Sequence, residues 1–208
     1  VTGILGGMYS STATTIILAK KSKELTENNK EVAAIILATT MMYVRLFLLA
    51  LFFNESIALQ LAPSFAIFIV VSALIALYFY KFQHDEPQQT GAKTLQPHNN
   101  PLEFKTALLF AGLFIFFAVV TGLVTKNYGA GGIDVLSFVV GVTDIDPFIL
   151  NLFQNRLNIE NTVIITAVLN AVTSNNLLKM IYGISLSDNS IRWQLIVGFT
   201  ILIVAGLL

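Results

Sequence analysis

The stretch Ile57–Tyr80, IALQLAPSFAIFIVVSALIALYFY, carries no charged side chain and is long enough to cross a hydrocarbon layer as one helix. Reading outward from it, comparable runs occupy Val1–Ala19, Val32–Phe53, Thr106–Thr125, Ile133–Phe153, Thr162–Leu186 and Ile191–Leu208. The expected fold is therefore all-α, a polytopic transmembrane bundle of about seven spans. Composition agrees: 55% of the 208 residues are hydrophobic and only 12% are charged, about half the charge of a soluble domain. Twelve basic residues balance twelve acidic ones, so no net charge points to nucleic acid, and the bilayer is the expected partner. The absence of cysteine excludes disulfides, thiolate metal sites and cysteine nucleophiles.

Between the third and fourth spans lies a polar stretch, 82–105, rich in Gln, Pro, Asn and charge, which reads as a cytoplasmic loop. It holds both histidines, His84 and His98, read as solvated residues rather than metal ligands. Lys20, Lys21, Lys23, Lys30, Lys81, Lys93, Lys105 and Arg156 fall on one side of a seven-span topology, against Lys126 and Arg192 on the other. The richer side should be cytoplasmic, together with the C-terminus. No signal peptide is evident; the chain opens within an apolar run, which leads us to expect sequence upstream of Val1.

Sliding the chain on itself aligns polar residues at an offset of 134. Gly7 meets Gly141, Thr39 meets Thr173, Arg45 meets Lys179, Ser56 meets Ser190, and Gln60 meets Gln194. One period contains an even number of spans, so the two copies should run parallel, related by an axis along the membrane normal. They divide the chain into a first repeat, 1–81, and a second, 106–208, with the first lacking its opening helix.

Polar residues interrupt equivalent spans. The first span contains Gly6-Gly7-Met8-Tyr9-Ser10-Ser11-Thr12-Ala13-Thr14-Thr15, and the fifth contains Gly141-Val142-Thr143-Asp144-Ile145-Asp146-Pro147. Hydroxyls and glycines in a span also serve plain helix packing. Carboxylates in a span cost far more and mark a site, unless the span ends early and leaves them in water. Pro147 belongs in the first turn of a helix, with Asp146 placed to cap it, so the fifth span should break near Gly141–Asp146 and restart at Pro147. Gly6 and Gly7 mark the matching break. Ser10, Ser11, Thr12, Thr14, Thr15, Asp144, Asp146 and Asn175 are then the expected substrate or ion pathway. Asp144 and Asp146 could hold a hard cation such as Mg²⁺, no other cofactor being expected. Arg45 and Lys179 are the expected charge partners of the two aspartates, although Lys179 is near enough to its helix end to snorkel.

The Gly6–Thr15 decamer, followed by Leu18-Ala19 and a basic pair, resembles the signature of the DUF4010 membrane domain. The Asn100–Phe104 and Gly141–Asp146 runs are similar to its other marks, and Pro147-Phe148-Ile149 departs from it. The resemblance implies a multi-pass protein of the bacterial inner membrane, an upstream MgtC/SapB-like domain in the same chain, and a loose association with Mg²⁺ homeostasis. A transporter or channel-like protein for a small ion is the leading expectation, with a Mg²⁺-class cation or a proton favoured. A small anion is the alternative, because helix N-termini at Ser10–Thr12 beside Arg45 and Lys179 would suit an oxyanion. A non-transporting regulatory subunit, as a homodimer or with another membrane protein, is the other class. An enzyme is not expected: the two aspartates share one turn, and no Ser/His or Cys/His set exists.

Overall fold

The computed structural model describes residues 2–24, 29–81, 102–154 and 158–206. All secondary structure among them is helical. The elements are α1 (Thr2–Lys21), a short 3-10 turn (Ser22–Glu24), α2 (Asn29–Phe53), α3 (Glu55–Lys81), α4 (Leu102–Val140), α5 (Ile145–Gln154), α6 (Asn161–Leu186) and α7 (Asn189–Gly206). Most of the polar 82–105 stretch, with His84, His98 and Lys93, lies outside the described residues, as does Arg156. Helix α4 begins at Leu102 and so takes up the last four residues of the expected loop.

Five segments are long and apolar enough to cross a membrane: 30–53, 55–81, 108–140, 161–186 and 189–206. Their outward faces carry large apolar side chains, such as Leu59, Val70, Leu74 and Leu77 on α3 and Leu109, Ile115 and Phe116 on α4. An apolar belt of this kind is stable when its solvent is lipid, and the helical form satisfies every backbone group within the segment. We read the chain as a multi-pass membrane protein.

Two helices are broken. Inside α1, Ser10 adopts extended backbone (φ −157°, ψ 110°). Inside α4, Gly129 has φ +61°, a left-handed conformation that glycine adopts without penalty. The Gly129 break folds α4 back on itself. Along a straight helix Phe114 would lie about 39 Å from Val140, yet Asn151 of α5, one short turn beyond Val140, donates its amide to the Phe114 carbonyl at 2.9 Å. The first part of α4 thus packs on α5, where the Phe117 ring meets Phe148 edge-on.

One apolar core joins α2, α3, α4, α5 and α6 through Tyr43, Phe65, Phe117, Phe148 and Val168. A second joins α1, α2, α3 and α7 through Leu18, Ile36, Phe79, Leu195 and Phe199. The turns at the far ends of α2 and α6 are closed by side-chain caps. Asn54 Oδ1 accepts the Ile57 N–H at 3.2 Å, and Asp188 Oδ1 accepts the Ser190 N–H at 2.9 Å. The latter bond holds the Asp188 carboxyl below the usual carboxylate range. The Asp188 N–H in turn donates to Ser22 Oγ (2.9 Å), tying this turn to the end of α1.

Candidate functional site

The broken ends of α1 and α5 meet at one cavity. Its volume is roughly 360 Å³, and its walls include Ser10–Ala13 of α1, Met42 and Arg45 of α2, Val142–Asp146 leading into α5, and Asn175 and Tyr182 of α6.

Each break is made by a local cap. Ser10 leaves helical geometry and accepts the Ala13 N–H on its Oγ (3.2 Å), the bond an N-cap serine makes to the third residue of a new helix. The helix restarting at Ser11 is stiffened by Thr14 and Thr15, whose hydroxyls donate to the Ser10 and Ser11 carbonyls at 2.8 and 2.9 Å. These two threonines are buried in packing and are not among the cavity walls. On the other side, Asp144 Oδ1 accepts the Asp146 N–H at 3.3 Å, and the helix restarts at Ile145. Asp144 is therefore the cap, where the sequence reading gave that place to Asp146 and the restart to Pro147. Pro147 is the third residue of α5, a position whose N–H has no intrahelical partner to lose. The two-residue shift turns Asp146 inward, toward α2.

The glycines serve close approach rather than the breaks themselves. A Cβ on Gly7 would lie 2.7 Å from the backbone of Ala38 on α2. A Cβ on Gly141 would lie 2.4 Å from Ser174 Cβ on α6. A Cβ on Gly6 would meet the Thr14 hydroxyl at 2.5 Å, because the bend at Ser10 brings the two halves of α1 together. With Gly141 seated on α6, Ser174 Oγ donates to the Phe138 carbonyl (2.7 Å) and Asn175 Nδ2 to the Gly141 carbonyl (3.1 Å). These bonds satisfy carbonyls that the end of α4 leaves open.

Arg45 Nη2 and Asp146 Oδ2 form an ion pair between α2 and α5, with the arginine side chain 28% and the aspartate 15% exposed. Lys179 does not snorkel: it is fully buried, with Nζ 3.0 Å from Met42 Sδ. It remains within electrostatic reach of Asp146 and Arg45. The expected arrangement of two carboxylates with two cations is thus realised for one pair only. Asp144 caps a helix, and Lys179 rests on a thioether. Among the described residues no three His, Cys, Asp or Glu side chains gather as a metal site.

Two acceptors in the cavity lining stay unpaired: Asn175 Oδ1 and Asp146 Oδ1 have no hydrogen-bond partner among the described residues. Asn175 is 2% exposed. Met42, Thr143 and Tyr182 are among the lining residues that were not foreseen from sequence. Thr143 carries the one available signal, a hydroxyl inside the polar run; Met42 and Tyr182 look like ordinary span residues. Behind the cavity, the Tyr43 hydroxyl donates to Asn176 Oδ1 at 2.9 Å and ties α2 to α6.

Comparison with known proteins finds similarity over most of the chain. A protein of Aquifex aeolicus (strain VF5), described as uncharacterized, is 26% identical over 199 residues, covering 92% of this chain and 84% of that one. No solved structure matches the chain. The family described as a domain of unknown function, DUF4010, matches residues 1–187, a span that takes in the cavity and the Arg45–Asp146 ion pair; the chain belongs to that family.

Proposed function

We propose that this chain is a membrane transporter or channel-like protein, and that a small anion passes through the cavity between the two broken helices. The observation that carries this reading is the convergence of two half-helix N-termini, Ser10–Ala13 and Asp144–Asp146, with Arg45 on one cavity. A helix N-terminus carries the equivalent of roughly half a positive charge. Formally Arg45 and Lys179 balance Asp144 and Asp146, so the two termini leave about one positive charge for a ligand to neutralise.

The reading also takes the bundle as two parallel copies offset by 134 residues, seven spans in all, with the lysine-rich side and the C-terminus in the cytoplasm of a bacterial inner membrane. Support for the copies comes from pairs that share that offset: the caps Ser10 and Asp144, the close-packed Gly7 and Gly141, and the turn caps Asn54 and Asp188. The packing of α1 on α6 and of α5 on α2 is likewise the exchange that two copies would make. Interrupted helices at matching points of two repeats are where transporters place their substrate.

A cation remains the second reading, favoured by the unpaired Asn175 and Asp146 oxygens. A regulatory subunit that carries nothing is the third, and no catalytic role is proposed.

The test is flux into proteoliposomes holding the purified chain. We expect uptake of small anions but not of Mg²⁺, Na⁺ or protons, and loss of uptake in Arg45→Ala. Cation uptake that survives Arg45→Ala and disappears in Asp146→Asn would sink the anion reading. No flux of any ion, with a membrane protein co-purifying in fixed ratio, would leave the regulatory one.

A further inference from the structure

The two unpaired acceptors say more about the ligand than its charge. We infer that the cavity selects a singly charged oxyanion that still carries a proton, the class of hydrogen carbonate and dihydrogen phosphate, over anions with no hydrogen to donate. The inference rests on the anion reading above and specifies its substrate class.

The residues that line the cavity offer both donors and acceptors. On the α1 side, Ser10 Oγ takes up only the Ala13 N–H. The Ser11 and Thr12 N–H groups, first and second in the restarted helix, have no intrahelical acceptor. With the Ser11 and Thr12 hydroxyls they form a donor-rich wall, fit for oxygens bearing negative charge. On the α6 side the chemistry reverses. Asn175 is held by its amide nitrogen, which donates to the Gly141 carbonyl at 3.1 Å. That bond fixes the orientation of the amide: the nitrogen is engaged on the helix end, and the oxygen has no partner among the described residues. Asp146 repeats the pattern, with Oδ2 on Arg45 and Oδ1 unpaired.

A buried acceptor is satisfied only by a donor. Chloride, nitrate and acetate have none, so neither oxygen gains a bond from them, whereas an anion that carries its own O–H is a direct donor to one of the two. A free metal cation would satisfy the acceptors, but it would face Arg45 and the positive ends of two helices. A protonated oxyanion answers both walls at once: its charged oxygens face the α1 N-terminus, and its O–H points to Asn175 or Asp146. The volume of roughly 360 Å³ holds such an ion with several waters, each occupying about 30 Å³. Sites built around a ligand hydroxyl reject analogues lacking it far more strongly than hydrophobic pockets discriminate by size.

The experiment uses the whole chain, purified in detergent and reconstituted. Thermal unfolding is measured with dihydrogen phosphate (on the acid side of neutrality), hydrogen carbonate, acetate, nitrate and chloride, and each anion's flux is followed in proteoliposomes. At equal concentration, a ligand that binds only the folded state raises the midpoint more the more tightly it binds, with the logarithm of its affinity. We expect the two protonated oxyanions to bind at least about tenfold more tightly than the other three, the effect of one buried acceptor left unpaired. Asn175→Leu should narrow that gap while the protein still unfolds cooperatively. Equal protection and flux by acetate, nitrate or chloride would overturn the inference and leave the anion pathway standing. Neither binding nor flux of any anion would remove the pathway itself. If Asn175→Leu does not fold, the wild-type comparison alone decides.

Discussion

Arg45 on α2 and Asp146 in the first turn of α5 are joined by an ion pair in the wall of the cavity. Removing one partner from such a pair leaves the other charge without compensation in a medium of low polarity. The usual cost is about 3–5 kcal/mol, and the partial exposure of Arg45 places this case at or below the lower end. Arg45→Ala and Asp146→Ala should therefore each lower the unfolding midpoint in detergent clearly. The double variant Arg45→Met/Asp146→Leu should be less destabilised than either single one, since it leaves no unpaired charge. A double variant as unstable as the sum of the two singles would show that the residues act separately.

The caps at Ser10 and Asp144 make a graded prediction. Replacing an N-cap serine or aspartate by alanine costs about 1 kcal/mol. Asp144→Asn keeps an oxygen for the Asp146 N–H and should cost less than Asp144→Ala, while Ser10→Asp should keep the break in α1. Thermal midpoints of these variants check the order. A Ser10→Ala midpoint equal to wild type would mean that the bend is held by packing around Gly6 and Gly7 rather than by the cap.

Gly7 and Gly141 differ in what an added methyl would meet. At Gly7 the obstacle is the Ala38 backbone, which moves only with the whole of α2. At Gly141 the nearest atoms belong to the Ser174 side chain, but the Ala171 carbonyl follows at 2.8 Å. Overpacking of this kind typically costs about 1–3 kcal/mol. Gly7→Ala and Gly141→Ala should both lower stability. Pairing Gly141→Ala with Ser174→Gly should recover part of the loss, since it removes both the Cβ at 2.4 Å and the hydroxyl at 2.6 Å, whereas nothing at Ala38 can be trimmed to rescue Gly7→Ala. Equal rescue of both, or none of either, would contradict this account of the contacts.

The apolar helices were legible because a membrane span needs only length and an absence of charge, as Ile57–Tyr80 shows without any tertiary information. The interruption of the fifth span was legible for a related reason: two aspartates and a proline are too costly in lipid to be filler. What escaped was register and depth. Whether Asp144 or Asp146 caps α5 turns on a shift of two residues, and that shift decides which carboxylate meets Arg45. The reversal at Gly129, by contrast, falls in the interval left between the runs Thr106–Thr125 and Ile133–Phe153, where Gly129-Ala130-Gly131-Gly132 separates the two spans. The burial of Lys179 depends on Met42, a residue 137 positions away, and no local pattern announces it.

Lys179 makes the last prediction. Its ammonium is fully buried, and the hydrogen bond it makes is to the Met42 thioether, a weak acceptor for a charged donor. An isolated cation in such a place costs several kcal/mol, and the attraction of Asp146 offsets it only in part because Arg45 already engages that carboxylate. Lys179→Met, similar in length and apolar, should therefore keep or raise the unfolding midpoint, whereas Arg45→Met should lower it. A residue that the fold would be better without is a candidate for function. Lys179→Met should then cost flux in proteoliposomes while the protein remains as stable as wild type or more so. A marked fall in the midpoint on Lys179→Met would mean that the lysine holds the bundle together, and any loss of flux would need no further explanation.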